Sequence, residues 1–153
     1  MLSSADREFV RKAAEGGLAE VELGQLATEK ASSQDVEQFS QRMASDHSQA
    51  NTQLKEIAAQ KGVTLPTSLS SKDAALKSKL ENLSGAEFDR TYMQHMVKDH
   101  TNDVSEFQKE ASNGKDSDVK NFASQTTPKL QEHLRLAQQV AGKASGSAAV
   151  RGQ

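Results

Sequence analysis

The chain has 153 residues, a net charge of −2 and no cysteine, a size at which a single domain buries a core without staples. The missing cysteine excludes disulfides, thiolate metal sites and thiol catalysis. Near-neutral charge without a basic stripe excludes a nucleic-acid footprint, and no apolar run reaches the ~20 residues of a membrane span.

With two prolines, one tyrosine, five phenylalanines and no tryptophan, the composition suits helices packed through small residues. Sparse β-branched residues argue against sheet. The opening "MLSSADREFV" has neither a charged n-region nor an apolar h-region, so no leader is expected within it. A methionine directly ahead of a helical segment also fits the boundary left by a removed leader.

Four long segments carry helical periodicity. The first starts at a cap, Ser3 or Ser4, and runs to about Ala31. The second follows "SSQD", from about Gln34 to Lys61, with Gly62 as its stop. The connection "VTLPTSLSSKD" leads to a short helix over Ala74–Leu83. The third long helix is expected at a Ser84–Glu87 capping box and ends near Asn113-Gly114. The fourth starts after Asp116 or Ser117 and ends near Val140, with Pro128 expected to kink it or split off its first part. The pattern describes an all-α four-helix bundle over residues 4–140, with a long connection between its second and third long helices. The Gly/Ser/Ala-rich remainder, 141–153, reads as a disordered tail.

Advancing about 100° per residue shows which polar groups share the apolar faces. The first helix aligns Phe9, Ala13, Gly16, Gly24, Ala27 and Ala31, with Glu20 on the same side. A carboxylate there is costly unless paired, hydrogen-bonded or bound to a metal. The second helix aligns Val36, Phe39, Met43, Leu54 and Ile57, and His47 lies within that arc. The third turns Phe88, Tyr92, Met96 and Phe107 inward with His100 and Asp103, leaving His95 and Asp99 toward an edge. The fourth aligns Phe122, Leu130, Leu134 and Ala137 with His133. Each long helix thus offers one strong metal ligand: Glu20, His47, His100 and His133.

Two of these histidines sit in the same short frame, Met-x-x-Asp-His, in "RMASDHSQANTQL" and "HMVKDHTNDVSEF". Depth gives a further test. At ~1.5 Å per residue Glu20 and His47 lie within roughly 3 Å of one level, and His100 and His133 within roughly 5 Å of each other, while the connection decides whether the two pairs share a level. The residues fit a metal site or a buried polar network. Asp46 and Asp99 either face water or orient an imidazole on a neighbouring helix, and Tyr92, Asp103 and Glu106 are lesser candidates. No phosphate loop, nucleophile elbow or His-Glu-x-x-His stands in the chain.

The segments "FVRKAAEGGLAEVELGQLA", "FSQRMASDHSQANTQLKEIA", "FDRTYMQHMVKDH" and "FASQTTPKLQEHLRLAQQV" resemble the bacterial family catalogued as domain of unknown function 4142. The resemblance covers most of residues 5–140 in order. It implies a ferritin-like bundle, usually exported behind a leader, with no settled activity. Its motif positions fall on Glu20, His47, His100 and His133. The chain departs from the ferritin di-iron pattern, which needs Glu-x-x-His from two helices. Ala44 and Leu130 stand three residues before His47 and His133. An imidazole-rich set suits one Zn²⁺, or Cu²⁺, better than two bridged irons.

The expectation is therefore an exported, ferritin-like protein that binds one metal ion, zinc first and copper or iron after it. Its ligands are Glu20, His47, His100 and His133, with Asp46, Asp99 and Asp103 as supports. Four protein ligands close a tetrahedral site, the arrangement of structural rather than catalytic zinc. Binding, buffering or sensing metal, within an envelope stress response, follows as the role. The alternatives are a di-metal oxidase and a metal-free interaction protein.

Overall fold

A computed structural model describes the backbone over residues 1–151 and side chains over 1–144. It is all-helical, and no strand occurs among the described residues. Five helices follow in order: α1 (Ser4–Lys30), α2 (Gln34–Lys61), α3 (Ser71–Glu81), α4 (Gly85–Asn113) and α5 (Ser117–Arg151). No helix among the described residues is long and apolar enough to cross a membrane.

The termini follow from local chemistry. Ser3, Ser33 and Ser70 each accept a backbone N–H of the first turn, from Asp6, Val36 and Asp73, which satisfies a donor the helix leaves open. Asp116 does the same for α5, accepting from Asp118 and Val119. Gly62 ends α2 at φ 71°, a left-handed conformation that favours glycine.

Three details differ from expectation. Ser84 precedes α4 but its side chain makes no capping bond, because Gly85 turns at φ 61° and takes the chain out of capping-box geometry. Pro128 lies inside one continuous α5 and splits off no separate turn. That helix continues past Val140 to Arg151, through "AGKASGSAAV", where alanines favour helix and no proline stops it. The side chains of the expected tail from residue 145 onward lie outside the described residues.

α1 packs along α2, and α4 along α5, while α2–α5 and α1–α4 contacts close the array. Two apolar clusters fill it. One gathers Phe9, Val10, Leu54, Phe107, Phe122 and Leu130, with Leu2 and Val63. The other gathers Leu23, Val36, Phe39, Met43, Phe88, Tyr92 and Met96, with Ala137. On every long helix, the inward polar residue falls in sequence between these clusters: Glu20 between Ala14 and Leu23, His47 between Met43 and Leu54, His100 between Met96 and Phe107, His133 between Leu130 and Ala137. A polar layer is thus clamped by apolar packing on both sides. The buried side of α1 is centred on Val10, Ala14, Gly17 and Leu23, rotated from the face through Ala13 and Gly16 that the periodicity suggests.

Buried aspartates tie the helix ends together. Asp89 on α4 accepts the N–H groups of Ser32 and Ser33 at 2.9 Å each, in the α1–α2 turn. Asp6 on α1 accepts those of Lys115 and Asp116 in the α4–α5 turn. Both aspartates are almost wholly buried. Removing such an acceptor leaves two donors unpaired, so Asp89→Ala should cost about 3 kcal/mol and lower Tm by roughly 6–12 °C. A thermal melt of the metal-free variant within a degree of the parent would contradict this clasp.

Candidate metal centre

His47, His100 and His133 come from α2, α4 and α5 and meet in the polar layer. Their ring centroids form a nearly equilateral triangle with sides of 5.6, 5.3 and 5.5 Å. One ring nitrogen from each lies within 4.8 Å of those of the other two. All three residues are buried. The histidines of both pairs therefore share one level, which the sequence alone left open.

The hydrogen bonds set the tautomers. Nδ1 of His100 lies 2.8 Å from the carbonyl of Met96. A carbonyl only accepts, so Nδ1 carries the proton and the Nε2 lone pair is free. Nε2 of His133 lies 2.7 Å from Oδ2 of Asp46, which makes Nε2 the donor and leaves the Nδ1 lone pair free. Nε2 of His47, Nε2 of His100 and Nδ1 of His133 are buried without a partner. Buried polar atoms are ordinarily paired, and three such lone pairs grouped on one level make a site that can hold a metal ion. A tetrahedral zinc holds its donors roughly 3.3 Å apart, which small side-chain rotations reach from this spacing.

Glu20 on α1 stands beside the triangle, next to His47, outside the set of three mutually close ring nitrogens. It is 1% exposed, both carboxyl oxygens are buried without a partner, and Oε2 lies 4.0 Å from Nε2 of His47. Burial, then the carboxylates of Asp103 and Asp99, raises its pKa well above the usual carboxylate range. Burial pushes the other side of the site the opposite way. His47 is lowered to about 3 and His100 to about 4, burial leading in both, and His133 is lowered mainly by burial. Without a cation, burial thus favours the neutral form of all four groups, an acid and three bases. A divalent cation reverses that logic, favouring the carboxylate while using the imidazoles as they stand.

The supporting aspartates divide their roles. Asp46 on α2 holds His133 on α5, and Arg42 braces Asp46 at 3.2 Å while reaching Glu132 at 3.1 Å. Such a carboxylate–imidazole contact fixes ring orientation and raises ligand basicity. Asp99 pairs with His95 on its own helix at 3.0 Å, which keeps His95 outside the triangle. Asp103 does not touch an imidazole nitrogen as a hydrogen-bond partner in the structure; it lines a small cavity beside His47, its pKa raised to about 7 by burial and then by Asp99. Tyr92 is fully buried, with its hydroxyl unpartnered, and its pKa is raised by burial and then by the charge of Glu20. Glu106 is exposed. Arg42 was not marked in the sequence reading, although its i,i+4 spacing to Asp46 is the signal that identifies the pair.

A model of the family described as domain of unknown function, DUF4142, matches residues 1–140. The chain belongs to the DUF4142 family. No curated protein matches it. Among solved structures it is similar to the crystal structure of a DUF305 fragment from Deinococcus radiodurans, at 15% identity and a TM-score of 0.81. That likeness spans 93% of this chain and 98% of the other, and at such identity it concerns the fold alone.

Proposed function

We propose that this DUF4142 protein binds one transition-metal ion, zinc first, through His47, His100, His133 and Glu20, in a bundle of ferritin-like build. The observation that carries the reading is three buried imidazoles brought together, each with a ring nitrogen that has no partner, beside the buried carboxyl group of Glu20. A layer of this kind costs stability unless it is filled. The first shell is three imidazoles and one carboxylate, a borderline set suited to Zn²⁺ and then to Cu²⁺ or iron. Four protein ligands leave no open position for a substrate, so the role is to bind, buffer or sense the ion rather than to catalyse. Export to a bacterial envelope compartment is part of the same proposal, and resemblance to an often exported family supports it.

The second reading is a di-metal oxidase. It draws on Asp99 and Asp103, whose charges act on Glu20 and which offer oxygen ligands for iron or manganese. Elemental analysis of protein purified without an affinity metal separates these. One zinc per chain supports the first reading, and two irons or manganese per chain support the second. No bound metal after incubation with each ion in turn would leave an interaction protein with a buried polar layer.

A further inference from the structure

Of the glycines in α1, two face close neighbours. A Cβ on Gly17 would run into the side-chain amide of Asn51, and one on Gly24 would meet the Ser40 carbonyl oxygen at 3.0 Å. Gly16 has no such neighbour: a Cβ there would meet nothing within 4 Å. Glycine inside a helix is unfavourable against alanine, so the open space above Gly16 calls for another account. Gly16 lines a cavity of about 40 Å³ whose wall also includes Gly17, His47, Asn51 and Asp103, with Lys12 and apolar side chains such as Leu54 and Phe107. A water needs roughly 10–15 Å³ measured this way, so the cavity admits a few waters or a partly hydrated ion. Its inner wall includes His47, 7% exposed, whose Nε2 is unpartnered. Asp103, partly exposed on α4, places a carboxyl group along the same wall.

We propose that this cavity is the passage by which a divalent cation reaches the histidines, with the bare Cα of Gly16 leaving its mouth clear and Asp103 supplying an oxygen ligand as the ion sheds water. The proposal rests on the metal-binding reading above and adds the route. It makes the ion's exchange rate a property of one position on α1, separate from the affinity set by the four ligands.

The test is stopped-flow mixing of metal-free full-length chain with CoCl₂, followed through the visible bands of the bound ion, and chelator-driven release from the loaded chain. Gly16→Leu should slow uptake and release by the same factor, about tenfold or more, while Kd stays within about twofold. Gly16→Ala, which gains the same helix propensity but leaves most of the mouth open, should exchange near the parent rate. Parent rates in Gly16→Leu overturn the passage while the metal site stands. Equal slowing in both variants also overturns it, because the limiting step is then opening of the helix. A parent chain that takes up no cobalt removes the passage and the metal-binding reading together.

Discussion

Replacing any one of His47, His100 or His133 with alanine is expected to lower zinc affinity by about a hundredfold or more, because outer partners alone are worth about 10–100-fold. His95→Ala should change it little, since His95 is held by Asp99 on its own helix and stands outside the triangle. Asp46→Asn belongs between these, as it loosens His133 without removing a donor. Glu20→Gln should show a crossed effect. It removes the one anionic ligand and so weakens metal binding. It also removes a carboxyl group whose folded-state pKa is raised. Such a group destabilises increasingly as pH rises above its unfolded value of 4.5. The metal-free Glu20→Gln chain should therefore melt above the parent at pH 8, with the gap narrowing toward pH 5. Isothermal titration and melting of the same samples check both halves. A variant that loses stability and keeps affinity would make Glu20 a structural residue.

The second large effect is on pH. His47 and His100 have folded-state values of about 3 and about 4 against 6.5 unfolded. Lowered values for a base mean that the unfolded chain binds more protons below pH 6.5. Their contribution to stability is full above 6.5 and is lost as pH falls. Each group loses about 1.4 kcal/mol per pH unit until its folded value is reached. Glu20 acts with the opposite sign, and its relief ends near 4.5. The metal-free protein should accordingly unfold steeply between about pH 4.5 and 3. Metal affinity follows from the same states. His47 and His100 need shed no proton at pH 5 and burial lowers His133 as well, so the proton released on binding comes chiefly from Glu20, whose value is raised. The logarithm of the association constant should rise by about one per pH unit above pH 5, over the range in which Glu20 is still protonated. Free histidines of ordinary pKa would give a slope nearing three at the acid end. Competition against a chromophoric chelator, with proton release followed directly, measures it. A slope near three would mean the layer is wet rather than buried.

The burial of the four candidate ligands was legible because each interrupts an apolar stripe. Glu20, His47, His100 and His133 each sit where a helix period demands a core residue, and the clusters on either side of them fix the phase. The same periodicity located Phe39, Met43, Phe88 and Leu130 in the core, and the caps and glycines bounded the helices to within a few residues, except at the end of α5. Asp6 and Asp89 were not legible. Each is buried by a turn distant in sequence, and nothing in its own neighbourhood separates it from a solvated aspartate. The phase of α1 slipped because alanines and glycines on both of its faces blur the apolar side. The Ser84 capping box failed for a local reason, since Gly85 adopts a backbone conformation that the motif does not anticipate.

Titration of the metal-free full-length chain with Co²⁺, read by visible absorption, tests the central claim most directly. Three imidazoles and one carboxylate around one ion predict intense visible bands of four-coordinate cobalt that saturate at one equivalent per chain, that Zn²⁺ abolishes by competition, and that His100→Ala does not develop. Weak six-coordinate bands, saturation at two equivalents, or an unchanged titration in His100→Ala would contradict it.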